Sequence, residues 1–270
     1  MSPAELRAKA AGQVPLLIQI RELARRSILR TIRQPAQIVP ATIFPLILLA
    51  INSAGLDSAT DLPGFPTDNY VTFALAFAFL QAGVFAVIGT GQNLAEDQVN
   101  GFFSRMQLTP IRPLALVAGQ LAGTLALGLF QAGLYISVGL IAGGHIEAGI
   151  PGALVLIALA TLITLAFGSI GLIAGMRAST PENVQGIFPL IFVFLFMSSM
   201  ALPRDLIETD WFRTVATYNP VSYLIEGLRS ILISGWDAEA LALGFGLAVA
   251  ILAVALTAAT ASIRGRMVRT

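Results

Sequence analysis

The sequence has no cysteine and a single lysine, Lys9. The first absence removes disulfides, thiolate nucleophiles and cysteine-ligated metals. The second excludes a phosphate-binding GxxxxGK[ST] loop. Histidine is also a single residue, His145, and no HExxH pattern occurs. His145 beside Glu147 in a short turn reads as a surface pair in preference to a metal site. No catalytic, cofactor-binding or metal-binding residue is expected, and the chain is read as a non-enzyme. Charge is scarce too: 11% of 270 residues, against roughly a quarter in an ordinary soluble domain. The net charge of +1 says little about partners, because in so apolar a chain placement of charge matters more than its sum. No nucleic-acid partner is expected.

Apolar sequence fills the space, at 56% of residues. Several runs reach or approach the ~20 residues that a helix needs to cross ~30 Å of hydrocarbon. They predict an all-α integral membrane protein, one domain over 1–270, with six transmembrane helices at about 38–54, 70–91, 114–142, 150–175, 184–202 and 238–263. The first span holds Pro40 and Pro45, whose freed carbonyls must be satisfied by neighbours or water. The third carries Gly119, Gly123, Gly128, Gly133 and Gly139, small residues that let helices approach closely. Thr180 and Pro181 read as the cap and first residue of the next helix.

The chain does not open on a cleavable signal peptide. Over 16–33, Leu16, Leu17, Ile20, Leu23, Ala24 and Ile28 recur at helical spacing, while Arg21, Arg25, Arg26 and Arg30 take the other face. That pattern predicts an N-terminal interfacial amphipathic helix, its arginines toward lipid phosphates or a protein partner.

Two other stretches are neither span nor simple loop. Asn93 to Pro113 is a polar handle between the second and third spans, holding Glu96, Asp97, Arg105 and Arg112. Before the last span, Asn219 stands as an N-cap with Pro220 at the first helical position, and Val221, Leu224, Ile225, Leu228 and Ile231 form one stripe. Glu226 and Arg229, three residues apart, can pair on the other face. Upstream, 205–216 reads as a second short helix with Trp211 and Phe212 at headgroup depth, giving a re-entrant helical pair before the last span.

An even number of spans puts both termini on one side, and the basic residues choose it. Seven lie in the N-terminal segment, two in the handle, one in the loop at 176–184 and three in the tail, thirteen of sixteen in all. By the positive-inside rule the termini and the handle face the cytoplasm of a multi-pass cell-membrane protein.

The handle EDQVNGFFSRMQLTPIRP and the late YNPVSYLIEGLR segment together resemble the permease subunits of type-2 ABC transporters, particularly drug-resistance and antibiotic-export permeases similar to the daunorubicin exporter. The matching positions are Glu96, Gly101, Thr109, Pro110 and Arg112 in the loop, and Asn219, Pro220 and Arg229 before the last span. The resemblance implies a pair of cytoplasmic ATP-binding subunits, which carry ATP and Mg, and a second permease, either the same chain or a sister chain. It implies that the handle docks on the ATPase as a coupling helix. Glu96, Asp97 and Arg105 would orient it, Phe102, Phe103 and Met106 would fill a groove, and Pro110 and Pro113 would stiffen the return. It also implies that the outer re-entrant pair shapes the far end of the path.

The function expected is ATP-driven export of a hydrophobic or amphiphilic substrate such as a drug, antibiotic or lipid-like molecule. Phe73, Phe77, Gln81, Phe188 and Phe192 are candidates for the path, although helix-spaced aromatics and amides such as Asn52, Gln120 and Gln131 also serve helix packing. The Glu226 and Arg229 pair reads as structural or as a gate, and structural is favoured. The alternative function is a secondary transporter or channel, disfavoured because the expected spans hold almost no charge between their ends. A membrane anchor without transport is the remaining reading.

Overall fold

A computed structural model describes residues 14–107, 109 and 111–268, with side chains excluded at 103, 104, 107 and 264–268. Pro110 and the side chain of Phe103, both expected in the docking element, lie outside the described residues. Every regular element among the described residues is helical. The α-helices, in chain order, are α1 (Leu16–Ile32), α2 (Pro35–Gly55), α3 (Tyr70–Val99), α4 (Phe102–Gln107), α5 (Pro113–Ile141), α6 (Gly149–Arg177), α7 (Pro181–Gln185), α8 (Phe188–Phe196), α9 (Asp210–Tyr218), α10 (Pro220–Arg229) and α11 (Ala238–Val268). Five of them, α2, α3, α5, α6 and α11, are long and apolar enough to cross a membrane.

The bundle is built around α3. A helix apolar on every side has to be enclosed, and Phe73, Phe77, Phe79, Leu80 and Val84 are all buried. α2, α5, α6 and α10 surround it. At ~1.5 Å per residue its 30 residues measure about 45 Å, well beyond the ~30 Å of hydrocarbon. Sequence pattern predicts a second span that ends near residue 91 and hands over to a loop. Instead the helix continues to Val99, which moves Glu96 and Asp97 out of the loop and onto its last turn. The helix can carry these carboxylates because α1 supplies the opposite charge.

The crossing of α3 with α6 is glycine-made. A Cβ on Gly171 or Gly175 of α6 would collide with the carbonyls of Val87 and Gly91 on α3, so the two backbones touch. α5 uses the same device against α1, where side chains at Gly119 and Gly123 would run into Leu23 and Thr31.

α2 passes through both of its prolines without breaking. Pro45 has no N–H to give the Ala41 carbonyl. Gln131 on α5 donates there instead, at 3.1 Å, and the Tyr135 hydroxyl lies 3.4 Å from the same oxygen. The carbonyl freed by sequence is thus claimed by a neighbour, as an apolar interior requires.

The run at 184–202, expected as the fifth span, is not one helix. It divides into α7 and the nine residues of α8, then leaves helical geometry at Met197. Gly186 and Pro189 sit at the first interruption. At the second, the last carbonyls of α8 are taken by Asn219, whose Nδ2 donates to Phe194 at 2.7 Å and Met197 at 2.9 Å. Asn219 Oδ1 meanwhile accepts from the Val221 amide at 2.9 Å, capping α10. One side chain ends one helix and starts another. Thr180 stands at the N-cap of α7 without accepting a cap bond. A hydrogen bond from the Glu182 backbone, and then one from the Thr180 side chain, hold the exposed Glu182 carboxyl below its ordinary range.

Candidate functional site

Polar chemistry gathers at the two ends of α3. At the end bearing α4, a cluster of opposite charges joins α1 to α3. Arg26 holds the Asp97 carboxylate with both guanidinium nitrogens, at 2.6 and 3.0 Å. Arg30 reaches Asp97 Oδ1 at 2.9 Å, the Asn93 carbonyl at 3.0 Å, and Glu96. Gln120 on α5 completes the set, its Nε2 2.7 Å from Asp97 Oδ2. Asp97 is 3% exposed, so it is fully committed inside the chain. Two carboxylates meet two guanidiniums, and every short bond is charge-assisted, about twice as strong as a neutral one.

The cluster extends into α4. The Arg26 guanidinium lies 3.6 Å from the centroid of the Phe102 ring, so one arginine is held by a carboxylate and an aromatic face together. Gly101 joins α3 to α4 at φ +67, in the left-handed region that glycine enters without strain. Met106 packs on a small core of Leu94, Leu116, Val117 and Leu172. The Thr109 hydroxyl donates to the Met106 carbonyl at 2.7 Å, closing α4. Arg105, Arg112, Arg21 and Arg25 face outward. The residues expected in one docking element therefore divide into an inner group that positions α4 and an outer group open to a partner.

The opposite end is organised by Arg229. It does not pair with Glu226. Its guanidinium donates to the carbonyls of Ser199 at 2.6 Å, Met200 at 2.5 Å and Phe73 at 3.3 Å, and lies 3.4 Å from the Phe73 ring centroid. Glu226 turns to Arg204, at 2.6 Å. The i,i+3 expectation fails because the break after α8 leaves carbonyls that need a donor, and Arg229 is the group within reach. Arg204 had no signal in the sequence, since it lies in a turn 22 residues upstream. α9 keeps Trp211 and Tyr218 exposed, consistent with an amphipathic segment.

The path candidates do not form one group. Phe188 packs on Phe192 at 4.3 Å between centroids and on Phe85 at 5.7 Å, and Phe196 links Phe192 to Phe77. Phe73 belongs to the Arg229 site instead. Gln81 is 0% exposed, and neither end of its amide has a partner among the described residues. Of the other amides, Gln120 and Gln131 join helix to helix. His145 engages the Thr72 hydroxyl, 3.3 Å from its Nδ1.

A cavity of about 480 Å³ opens between α1, α2, α3, α5 and the α7–α8 break, beside the Asp97 cluster. Amides near the helix ends line it, among them Gln34, Gln37, Gln92 and Asn93. Sequence pattern alone does not reveal it; the signal that could is amide side chains falling within a few residues of the span ends.

These features agree with similarities to known proteins. Residues 18–233 match the ABC-2 type transporter family. A daunorubicin resistance ABC transporter permease protein of Streptomyces coeruleorubidus is 26% identical over 208 residues, covering 73% of this chain and 69% of the relative. A putative transport permease of Porphyra purpurea is 24% identical over 226 residues, covering 80% and 74%. Permeases of this family work with ATP-binding subunits, and the five long apolar helices accord with a multi-pass membrane protein. A match that takes in both the arginine-bridged α3–α4 junction and the Asn219–Arg229 helix shows that the chain belongs to the ABC-2 type transporter family, as a non-catalytic membrane permease subunit.

Proposed function

We propose that the chain is the permease of an ATP-driven exporter that moves a hydrophobic or amphiphilic molecule from the cytoplasm or inner leaflet, with α4 as the element that docks on the ATPase. The observation that carries this reading is the α3–α4 junction. Arg26 is shared between Asp97 and Phe102, so displacement of α4 pulls on α1 and α3 together. A docking element needs such an attachment to transmit force, and needs an outer face free for its partner, which Arg105 and Arg112 supply.

In this reading the termini and α4 are cytoplasmic, as the arginine distribution favours. The α7–α8 segment is a sixth, interrupted crossing, and α9 with α10 forms the re-entrant pair at the outer mouth. A pair of ATP-binding subunits supplies ATP and Mg, and a second permease completes the path along the Phe188, Phe192 and Phe77 side. The drug-resistance name of the Streptomyces relative supports an amphiphilic substrate.

The test is coupling. Coexpressed with its ATPase in nanodiscs, the chain should stimulate ATP hydrolysis. Gly101→Val, which forces a β-branched residue into positive φ, and Arg105→Glu, which reverses an outward charge, should each reduce that stimulation. Unchanged stimulation in both variants would leave an anchor without transport. Substrate movement by the purified chain on an ion gradient alone would overturn the reading.

A further inference from the structure

The cavity beside the Asp97 cluster has a lining of one chemical kind. Its polar wall is neutral: Gln34, Gln37, Gln92, Asn93, Gln120 and Gln185, with hydroxyls such as Thr90 and Thr124. Its apolar wall includes Phe85, Leu127, Phe188 and Pro189. No Asp, Glu, Lys, Arg or His is among the lining residues. Glu96 and Asp97 are neutralised by Arg26 and Arg30, so the two carboxylates closest in sequence to the lining residue Asn93 are already paired.

Several of its polar groups are unspent. Gln34 Oε1 and Asn93 Oδ1 are buried and have no partner among the described residues. Pro40 denies the Ala36 carbonyl, also in the lining, the donor that an unbroken helix would supply. A buried polar group without a partner carries a desolvation cost that a ligand satisfying it recovers. Gly89 stands in the wall with nothing within 4 Å of where a Cβ would be, so the space is open toward α3.

We propose that this cavity binds a neutral, hydroxyl-bearing amphiphile, its hydroxyls on the amide wall and its apolar body on Phe85 and Phe188. A hydroxyl suits the wall because it both donates and accepts, so it satisfies an amide whichever way that amide is turned. A cation or anion would lose its hydration and find no opposite charge in return. This names the ligand class of the export reading and rests on that reading only for the direction of movement. Gln120 gives the site a link to the docking end, since it lines the cavity and holds Asp97 at 2.7 Å.

The chain has no native cysteine, so one introduced thiol reports alone. The full-length chain carrying Gly89→Cys, in nanodiscs without ATP, is reacted with a water-soluble maleimide. Protection is then measured with octyl glucoside, octyltrimethylammonium and octyl sulfate, each below the concentration that dissolves the disc. Octyl glucoside should protect at about tenfold lower concentration than either ion, the worth of one or two hydrogen bonds to otherwise unpaired groups. Adding Asn93→Leu, or Gln34→Leu if the first variant does not fold, should shrink that margin to about twofold with labelling retained. Equal protection by all three amphiphiles, meaning an adventitious additive only, would overturn the proposal. So would stronger protection by an ion, a margin unchanged in the leucine variants, or an introduced thiol that never reacts with the maleimide. Labelling needs no ATPase, so a failed coupling experiment leaves this result standing, and loss of headgroup selectivity leaves the permease reading standing.

Discussion

Arg229 and Arg30 hold the two ends of α3 in different ways. Arg229, 7% exposed, is satisfied by three backbone carbonyls and the face of Phe73. Arg30 is satisfied by the side chains of Glu96 and Asp97 as well as one carbonyl. A bond to orphan carbonyls cannot part without leaving buried backbone groups unpaired. A bond between side chains on separate helices can part and re-form while both helices stay intact. The Arg229 end is therefore a fixed point of the bundle, whereas the Arg30 end is held mainly through side chains of separate helices.

The largest test of that contrast is Arg229→Leu. It strands the carbonyls of Ser199 and Met200 and should cost about 2–6 kcal/mol, at roughly 1–3 for each unpaired group. Size-exclusion profiles after graded heating should show loss of the folded species, and a wild-type profile would break the idea of a fixed point. Asp97→Asn should cost less, roughly 1–2 kcal/mol, because Arg26 and Arg30 are partly exposed and water can take over. A double-mutant cycle of Asp97→Asn with Arg26→Met should return a coupling of about 1 kcal/mol, together with a fall in ATPase stimulation. Between the two ends, Gln81→Leu removes an unpartnered amide and should be neutral or stabilise by about 1 kcal/mol. Lost transport in that stable variant would place Gln81 on the path. The smallest effect is expected for Arg21→Ala with Arg25→Ala: stability within about 0.5 kcal/mol, and a stabilisation of the detergent-purified chain by added anionic lipid that falls by roughly 1 kcal/mol per arginine.

Local rules read parts of both ends well. The Asn219 and Pro220 pairing starts α10 where side-chain chemistry says it should. Of the basic face expected on α1, Arg21 and Arg25 stay exposed, whereas Arg26 and Arg30 turn inward to Asp97 and Glu96. What stayed illegible was partnership across long separations. Nothing near Arg26 announces Asp97, 71 residues away. The i,i+3 rule pairs Glu226 with Arg229 because it counts only neighbours on one helix, whereas a break in a different segment has the stronger claim on the arginine. The handle reads as a loop because its carboxylates look like water-seeking groups; with two arginines to meet them they extend a helix. The cavity is hidden for the same reason, since its amides come from segments separated in the chain.

The separation of Arg26 from Asp97 also sets an order of assembly. At ~5–20 residues per second a ribosome needs about 4–14 s to travel the 71 residues from one to the other. Throughout that interval α1 exists without its carboxylates, and its glycine seat on α5 is still further behind. α1 is thus made well before its partners and is among the last of the described helices to be docked. A nascent chain halted before residue 97 lacks the carboxylate that Arg26 and Arg30 share.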